Sequence, residues 1–385
     1  MSTFHTKNAD YIILGTGCAG LSLVMRMIRS GRFSDKKILL IDKGPKTDND
    51  RTWCYWEKQN GFFEEIVYKK WSSLNFFGPG FSTKLNISPY QYKMIRGIDF
   101  YRHCFGEITK QDNIEIVYGT VKDIGFQNNE VVVSINDEII RIAGSIVFNS
   151  IYRPADADSD KAIRLLQHFK GWIIETDKPV FNPSGATLMD FRVRQDNGTT
   201  FGYILPISET KALVEYTLFS ARLLSREQYD KWLKDYIENI LKIDNYKVVY
   251  EEFGVIPMTN KRFRFYENGI YHIGTAGGQT KASSGYTFGF IQKQAQQIID
   301  HLIAGKSLQS MAATPGRFRF YDTVLLRVLA EGKLGGDKIF TRLFQRNKTQ
   351  AVFKFLDNET SIGEELKLIS TLPTYPFLKA ALHFG

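Results

Sequence analysis

The stretch "DYIILGTGCAGLSLVMRMIRSG", residues 10–31, limits what this chain can fold into more than any other. Tyr11 to Leu14 form a short apolar run of the kind buried on both faces of a parallel sheet. Gly15, Gly17 and Gly20 follow with G-x-G-x-x-G spacing. Leu21, Val24, Met25 and Ile28 then recur at helical spacing, and Gly31 provides a stop. A second apolar run, "KILLIDK", ends in Asp42, about 20 residues beyond the motif, where a ribose-binding acid is expected. Gly15 permits the tight turn and Gly17 lets backbone approach a pyrophosphate. Gly20 allows close helix–strand packing, and the helix N-terminus faces the phosphates. The plainer alternative is a glycine-rich turn in an ordinary α/β unit.

A late segment separates the two common dinucleotides. "NGIYHIGTAGGQTKASSGYTFGFIQKQAQQIIDHLIAG" reads as a turn, a short strand from Ile270 to Ile273, a glycine-rich loop and a helix from about Thr287 to Leu302. NAD domains complete their fold locally, whereas a flavin domain of the glutathione-reductase type is completed by such a distant strand, loop and helix. Gly274, Gly277 and Gly278 are therefore candidate cofactor contacts, with a simple helix-entry loop as the alternative. Thr275 stands where an acid is usual, so no carboxylate is assigned there. Between the two ends, "IEIVYGTV" and "SIVFNS" read as strands, and "EVVVSINDEIIRI" as a hairpin around Asn136-Asp137.

Residues 151–260 change character. "GWIIETD", "ATLMDFR", "TTFGYILPIS", "KALVEYTLFS" and "YKVVYEEFGVIPM" read as strands, interrupted by one helix from about Arg226 to Leu241. An antiparallel sheet inserted into the nucleotide-binding fold is the economical reading, and it can wall an apolar pocket. In "KALVEYTLFS", alternation puts Ala212, Val214, Tyr216 and Leu218 on one face, and Leu213, Glu215, Thr217 and Phe219 on the other. In a dry pocket, desolvation would raise the Glu215 pKa and leave a neutral acid able to donate a proton. On a half-exposed sheet, Glu215 is only a solvent-facing charge. "DNDRTWCYWE", residues 48–57, packs Trp53, Tyr55 and Trp56 beside Arg51, either as a surface for a cation or extended π system or as loop packing.

The formal net charge of +9 over 385 residues suits an anionic partner such as a phosphate-bearing cofactor or an acidic membrane surface. The basic residues form no arm or nucleic-acid motif, so nucleic acid is not an expected partner. The N-terminus lacks the apolar core of a signal peptide, and no apolar stretch is long enough to span a membrane. The expectation is a cytoplasmic protein, or one resting on a membrane without crossing it. Cys18, Cys54 and Cys104 are too scattered for a disulfide framework or zinc site, and no metal is expected.

With these stretches in view, the chain resembles the bacterial carotenoid cyclases, specifically the lycopene β-cyclases. "ILGTGCAGLSL", "DRTWCYWE", "YILPISETKALVEYTLFS", "EEFGVIPMT", "GTAGGQTKASSGYTF" and "FKFLDNETSIGEELKLISTLPTYPFLKAAL" carry the resemblance, from residue 12 to 382. It implies an FAD protein that performs no net oxidation, an isomerase that closes the ψ-ends of lycopene into β-rings, giving γ-carotene and then β-carotene. It further implies a need for reduced FAD, with NAD(P)H as the electron source. The family's acidic motif falls on Glu215, implying a catalytic acid. Arg51 is implied as a cofactor contact, and Trp53, Trp56 and Tyr216 as polyene contacts. Glu252 is a second acid to consider.

The expected architecture is α/β. Residues 1–150 and 255–305 form a discontinuous Rossmann-type FAD-binding domain, and 151–254 an antiparallel substrate domain. Residues 306–385 form a helical region that either contacts a membrane or packs on the core. Rival readings are a monooxygenase or prenyl-lipid reductase of the same architecture, or a non-catalytic flavin- or lipid-binding protein.

Overall fold

The computed structural model describes residues 5–6, 9–128, 130–136, 138–142, 144–154 and 162–382. Its helices are α1 (Cys18–Ser30), α2 (Gly97–Ile108), α3 (Arg226–Asp235), α4 (Phe288–Ile303), α5 (Gly316–Glu331), α6 (Gly336–Arg346), α7 (Thr349–Leu356), α8 (Ile362–Ile369) and α9 (Thr374–Leu382).

Alternation inside two apolar strands sets the first layer. Tyr11–Leu14 and Ile38–Asp42 pair in parallel at the centre of a six-stranded sheet. Ile13, Ile38 and Leu40 bury one face against α1, α2 and α4. Ile12, Leu14, Leu39 and Ile41 bury the other against a second sheet that contains the hairpin Glu130–Ile135 and Glu138–Ile142. Asn136 takes the turn at φ 53°, while Asp137 lies outside the described residues. The late strand Ile270–His272 pairs in parallel with Ile146–Asn149, which itself pairs with Tyr11–Leu14. The distant segment thus completes this sheet, as expected. Arg26 of α1 ties α4 in place through Gln292 (2.9 Å) and Gln296 (3.1 Å).

The large sheet has seven strands, in the order Lys247–Thr259, Arg164–Glu175, Lys211–Ser220, Thr199–Pro206, Gly185–Asp190, Ser73–Gly78 and Phe81–Asn86. The last two cross the expected boundary, since residues 73–86, placed by sequence with the first domain, extend the large sheet. Their apolar side chains Leu74, Phe76 and Leu85 need cover, which the large-sheet core provides through Phe191, Phe201 and Phe344. The pair Gly185–Asp190 and Ser73–Gly78 is parallel, whereas the other pairs in this sheet are antiparallel. Thr52–Glu57, Lys69–Trp71 and Gln91–Arg96 form a small sheet beside it.

One face of the large sheet packs on α3 through Val214, Tyr216, Leu218, Tyr229 and Leu233. α3 begins with a capping box between Ser225 and Gln228 and runs on into a π-helical turn over Tyr236–Ile240. The other face receives the C-terminal helices, with Leu326, Phe340, Phe344 and Phe353 buried against Leu213, Phe201 and Phe219. Packing on the core therefore accounts for α5, α6 and α7. α8 and α9 differ: Ile362, Leu366, Tyr375, Leu378 and Leu382 are each between 59% and 85% exposed. Among the described residues, no helix is long and apolar enough to cross a membrane.

Candidate active site

The glycines of the first motif are used in three different ways. Gly15 has φ +94°, and a Cβ there would lie 2.4 Å from Ser150 Oγ. A Cβ on Gly20 would lie 2.1 Å from the Gly15 carbonyl oxygen. Gly17, at the start of α1, has open space beside it. The uncapped N–H groups of the first helical turn are therefore open to approach. Asp42 is buried at the end of its strand, accepting from the Thr16 amide (2.6 Å) and pairing with Lys46 (3.1 Å). Burial alone would raise its pKa, but the Thr16 amide and Lys46 outweigh it and hold the carboxyl below its usual range. Thr16 Oγ1 is buried without a hydrogen-bond partner among the described residues.

The late loop meets this turn directly. Gly274 has φ +61°, and a Cβ there would lie 2.6 Å from Ala19 Cβ on the first turn of α1. Gly278 also needs positive φ, at +74°, and Gly277 packs against the His272 carbonyl. Gly15, Gly17, Gly20, Asp42, Gly274, Gly277 and Gly278 are thus brought to one region. Where an acid would be usual, Thr275 joins a chain of hydroxyls with Thr280 (3.3 Å) and Thr287 (3.0 Å between Thr280 and Thr287). Further along the loop, a Cβ on Gly285 (φ +71°) would lie 2.1 Å from Gln167 Oε1 on the large sheet. Gln167 Oε1 and Ser284 Oγ are both buried without hydrogen-bond partners among the described residues. Buried polar atoms left in this way are costly and mark where a polar ligand would be satisfied.

Glu215 answers the question its strand raises. It is 7% exposed, in the middle of the large sheet. The strand register lines up Tyr203, Glu215, Gly171 and Glu252 in one row across four strands. Directly opposed residues point to the same face, so both acids lean toward Gly171 from either side. They meet because Gly171 has no side chain. A Cβ there would lie 2.9 Å from Glu215 Cγ and 3.1 Å from Glu252 Cγ.

The two acids are not equivalent. Thr52 donates to Glu252 Oε2 at 2.7 Å. Glu252 Oε1 is shielded and receives no hydrogen bond from an N–H or hydroxyl among the described residues. Burial raises the Glu252 pKa, while Glu215, Thr52 and the Arg51 charge pull it back. Glu215 is raised well above the usual carboxylate range, first by burial and then by the negative charge of Glu252 beside it. Both carboxyls are thus biased toward their protonated forms, Glu215 more strongly, and a proton shared between them would supply the donor that Glu252 Oε1 lacks.

The walls around the pair are aromatic. On Thr52–Glu57, alternation turns Thr52, Cys54 and Trp56 toward the large sheet. Trp53 and Tyr55 turn away, toward Phe100 and Phe288 (Trp53–Phe100 5.1 Å, Tyr55–Phe288 4.5 Å between ring centroids). The Tyr92 and Tyr203 hydroxyls are hydrogen-bonded to each other. The half-buried Cys54 thiol lies near both Glu215 and Glu252, and Tyr286 lies near Glu215.

The other sites named from the resemblance divide. Arg51 is exposed, donates to the Asp50 carbonyl (3.0 Å), and lies close enough to Glu252 for its charge to act there. Trp56 lies on the correct side, but its ring is stacked on Phe353 (4.2 Å) and its Nε1 donates to Asp357 (2.7 Å). Trp53 packs into the nucleotide-binding core. Tyr216 is not brought to the site: it is buried on the opposite face of its strand, against α3. Gly171, Tyr203, Tyr92, Thr52, Gln167 and Gly285 were not singled out from sequence. Gly171 carried a signal nonetheless, since a glycine inside a strand marks a close approach.

A mainly parallel sheet with two converging glycine loops, joined to a large, mainly antiparallel sheet, defines a class of protein. Solved structures with this arrangement include a geranylgeranyl bacteriochlorophyll reductase-like protein from Thermoplasma acidophilum, at 14% identity and a TM-score of 0.63, covering 98% of this chain and 97% of that one. A flavin-dependent brominase aligns at 13% identity and a TM-score of 0.64, covering 94% of this chain and 98% of the other. The p-nitrophenol 4-monooxygenase of Pseudomonas putida aligns at 12% identity and a TM-score of 0.57, covering 99% and 98%. The chain has the fold of the FAD-dependent monooxygenases and reductases. Within that class, the family described as "Lycopene cyclase protein" matches residues 10–382, and the chain belongs to it. The lycopene beta-cyclase of Pantoea ananas is 24% identical over 216 residues, a match spanning 54% of this chain and about half (51%) of that relative.

Proposed function

We propose that this protein is a lycopene β-cyclase, an isomerase that closes the ψ-ends of lycopene into β-rings by way of γ-carotene. The observation that carries the reading is the carboxyl pair Glu215–Glu252, joined over Gly171, with Glu215 buried, Glu252 half-buried but its Oε1 shielded, and tyrosines alongside. A hydrocarbon offers no heteroatom to grip, so it is bound by shape and activated by a proton delivered where water is excluded.

Glu215, held neutral by burial and by Glu252, donates its proton to C2 of the terminal C1=C2 alkene. The C5=C6 alkene attacks the cation at C1, forming the C1–C6 bond and moving the charge to C5. Loss of the C6 proton to the carboxyl pair forms the C5=C6 double bond and restores the pair's proton. Substrate and product are therefore isomers. Burial raises the Glu252 pKa too, but Thr52 and Arg51 offset part of that rise, so Glu252 is the member of the pair that ionises more readily and would supply negative charge beside the cation, while the tyrosine rings supply π faces.

The junction of the two glycine loops supports FAD as the cofactor. Gly15, Gly17, Gly20 and Asp42 would hold its phosphates and ribose, and Gly274, Gly277 and Gly278 would flank the rest. The orphaned Gln167 and Ser284 atoms would meet its polar edge. When bound in reduced form, FAD would supply further negative charge to stabilise a cation, with NAD(P)H as the electron source.

A membrane-dissolved polyene also requires a landing surface, for which α8 and α9 are proposed, on the cytoplasmic face. Their exposed Ile362, Leu366, Tyr375, Leu378 and Leu382 occur on the same helices as Lys367 and Lys379, a combination suited to an anionic interface.

Expression in a lycopene-accumulating bacterium tests the reading. Pigment analysis is expected to show a cyclised product of unchanged mass. Net uptake of hydrogen or oxygen would instead assign the reductase or monooxygenase chemistry of proteins with the same fold.

A further inference from the structure

The late glycine loop also borders a cavity. This cavity, of about 740 Å³, opens between that loop, the segment that follows the Glu252 strand, and the start of α5. Its volume is in the range of small-molecule sites. It includes Gly277 and Gly278, but none of Gly15, Gly17, Gly20 or Asp42 lines it. It thus borders the loop proposed to flank FAD but not the turn proposed for the FAD pyrophosphate.

Its electrostatics are one-sided. Lys261, Arg262, Arg264 and Arg319 line it. The acid in the wall, Asp322, is already neutralised by the buried Lys281 at 2.7 Å. Arg264 is paired with Glu267. Lys261, Arg262 and Arg319 have no carboxylate partner among the described residues. Arg262 and Arg319 stand close enough to repel: burial and then the Arg262 charge lower the Arg319 pKa. Like charges held together without a counter-charge are unfavourable unless an anion joins them.

The backbone has the same polarity. α5 is 16 residues long, begins at Gly316 on the cavity wall, and has neither a side-chain cap nor an acidic residue in its first turn. Its first N–H groups present partial positive charge to the cavity. Phe263 and Phe290 add aromatic wall.

We propose that this cavity binds a phosphate-bearing ligand of nucleotide size, with phosphate on Arg262, Arg319 and the start of α5 and a ring or acyl stem against Phe263 and Phe290. Such chemistry comes from two sources, a soluble dinucleotide or the headgroup of an anionic phospholipid. The proposal does not depend on cyclase activity.

The test uses FAD-loaded protein and two probes: NADPH by calorimetry, and phosphatidylglycerol vesicles by co-sedimentation. One probe is expected to bind saturably, and binding should weaken at least about tenfold in R262Q/R319Q, which removes two charge-assisted contacts. R262Q alone, at an exposed position, serves if the double variant does not fold, and is expected to weaken binding in the same direction. NADPH binding assigns the dinucleotide source, and vesicle binding lost in the variant assigns the headgroup. The proposal is overturned if neither probe binds the wild type, if the variants bind equally well, or if the substitutions release FAD. The last result would make the cavity part of the flavin site.

Discussion

Gly171→Ala probes the join between the two acids. The added methyl would lie 2.9 Å from Glu215 Cγ, 3.0 Å from Leu213 Cδ1 and 3.1 Å from Glu252 Cγ. Carbons in contact sit about 3.5–4.0 Å apart, so each neighbour is about half an ångström or more too close. At least one carboxyl-bearing stem must swing away. Overpacking of this kind costs about 1–3 kcal/mol, offset by the roughly 0.5–1 kcal/mol that glycine costs in a strand. Melting temperature should therefore fall by only a few degrees, at about 2–4 °C per kcal/mol.

The effect on the acid is larger. Burial raises the Glu215 pKa, and the Glu252 charge raises it further. Moving Glu252 away removes the second cause. Glu215 must be protonated to act, so the alkaline limb of the rate profile should shift to lower pH. A shift of about one unit is tenfold in rate on that limb. The assay is initial rate of ring formation against pH with reduced FAD, alongside thermal melts and FAD content. A variant with wild-type rates and an unchanged alkaline limb would refute the idea that the carboxyls work as a pair.

Other expected outcomes follow from the same geometry. Gly17→Ala faces open space, so the protein should melt normally but bind FAD more weakly; Gly20→Ala collides with the Gly15 carbonyl at 2.1 Å and should lose stability instead. Flavin fluorescence and thermal melts separate the two. Because the folded pKa of Glu215 lies above its unfolded value, stability from its protonation is fully present below the unfolded pKa and declines as pH rises toward the folded one, by about 1.4 kcal/mol per unit. Glu215→Gln does not titrate, so its melting temperature relative to wild type should climb as pH rises above the ordinary carboxylate range, and a flat difference would count against a raised pKa. Leu366→Glu with Leu378→Glu, both at exposed positions, should abolish co-sedimentation with lipid vesicles at unchanged melting temperature.

How much of this could be read from sequence depended on range. The glycine turn, its helix and Asp42 are contiguous, and their spacing alone placed them correctly. The late loop was readable because a strand and helix flank it. Alternation placed Glu215 and Tyr216 on opposite faces, and that is where they lie; only the family resemblance had suggested Tyr216 as a polyene contact. The pairing of Glu215 with Glu252 was out of reach, because it depends on the register of three strands joined by long connections and on Gly171 between them. The same holds for Trp56, whose partner Asp357 lies 301 residues away. The hairpin at residues 73–86 has ordinary strand character, and nothing local says which sheet it extends.

The central claim is that Glu215 delivers the proton. The most direct measurement is anaerobic incubation of lycopene with wild type and Glu215→Gln, each loaded with reduced FAD, in H2O and in D2O. The wild type is expected to form an isomeric product in H2O and, with the carboxyl pair re-exchanging with solvent between turnovers, to gain one deuterium per ring in D2O. The variant should keep its flavin and form no ring. Ring formation by Glu215→Gln at the wild-type rate would contradict the account.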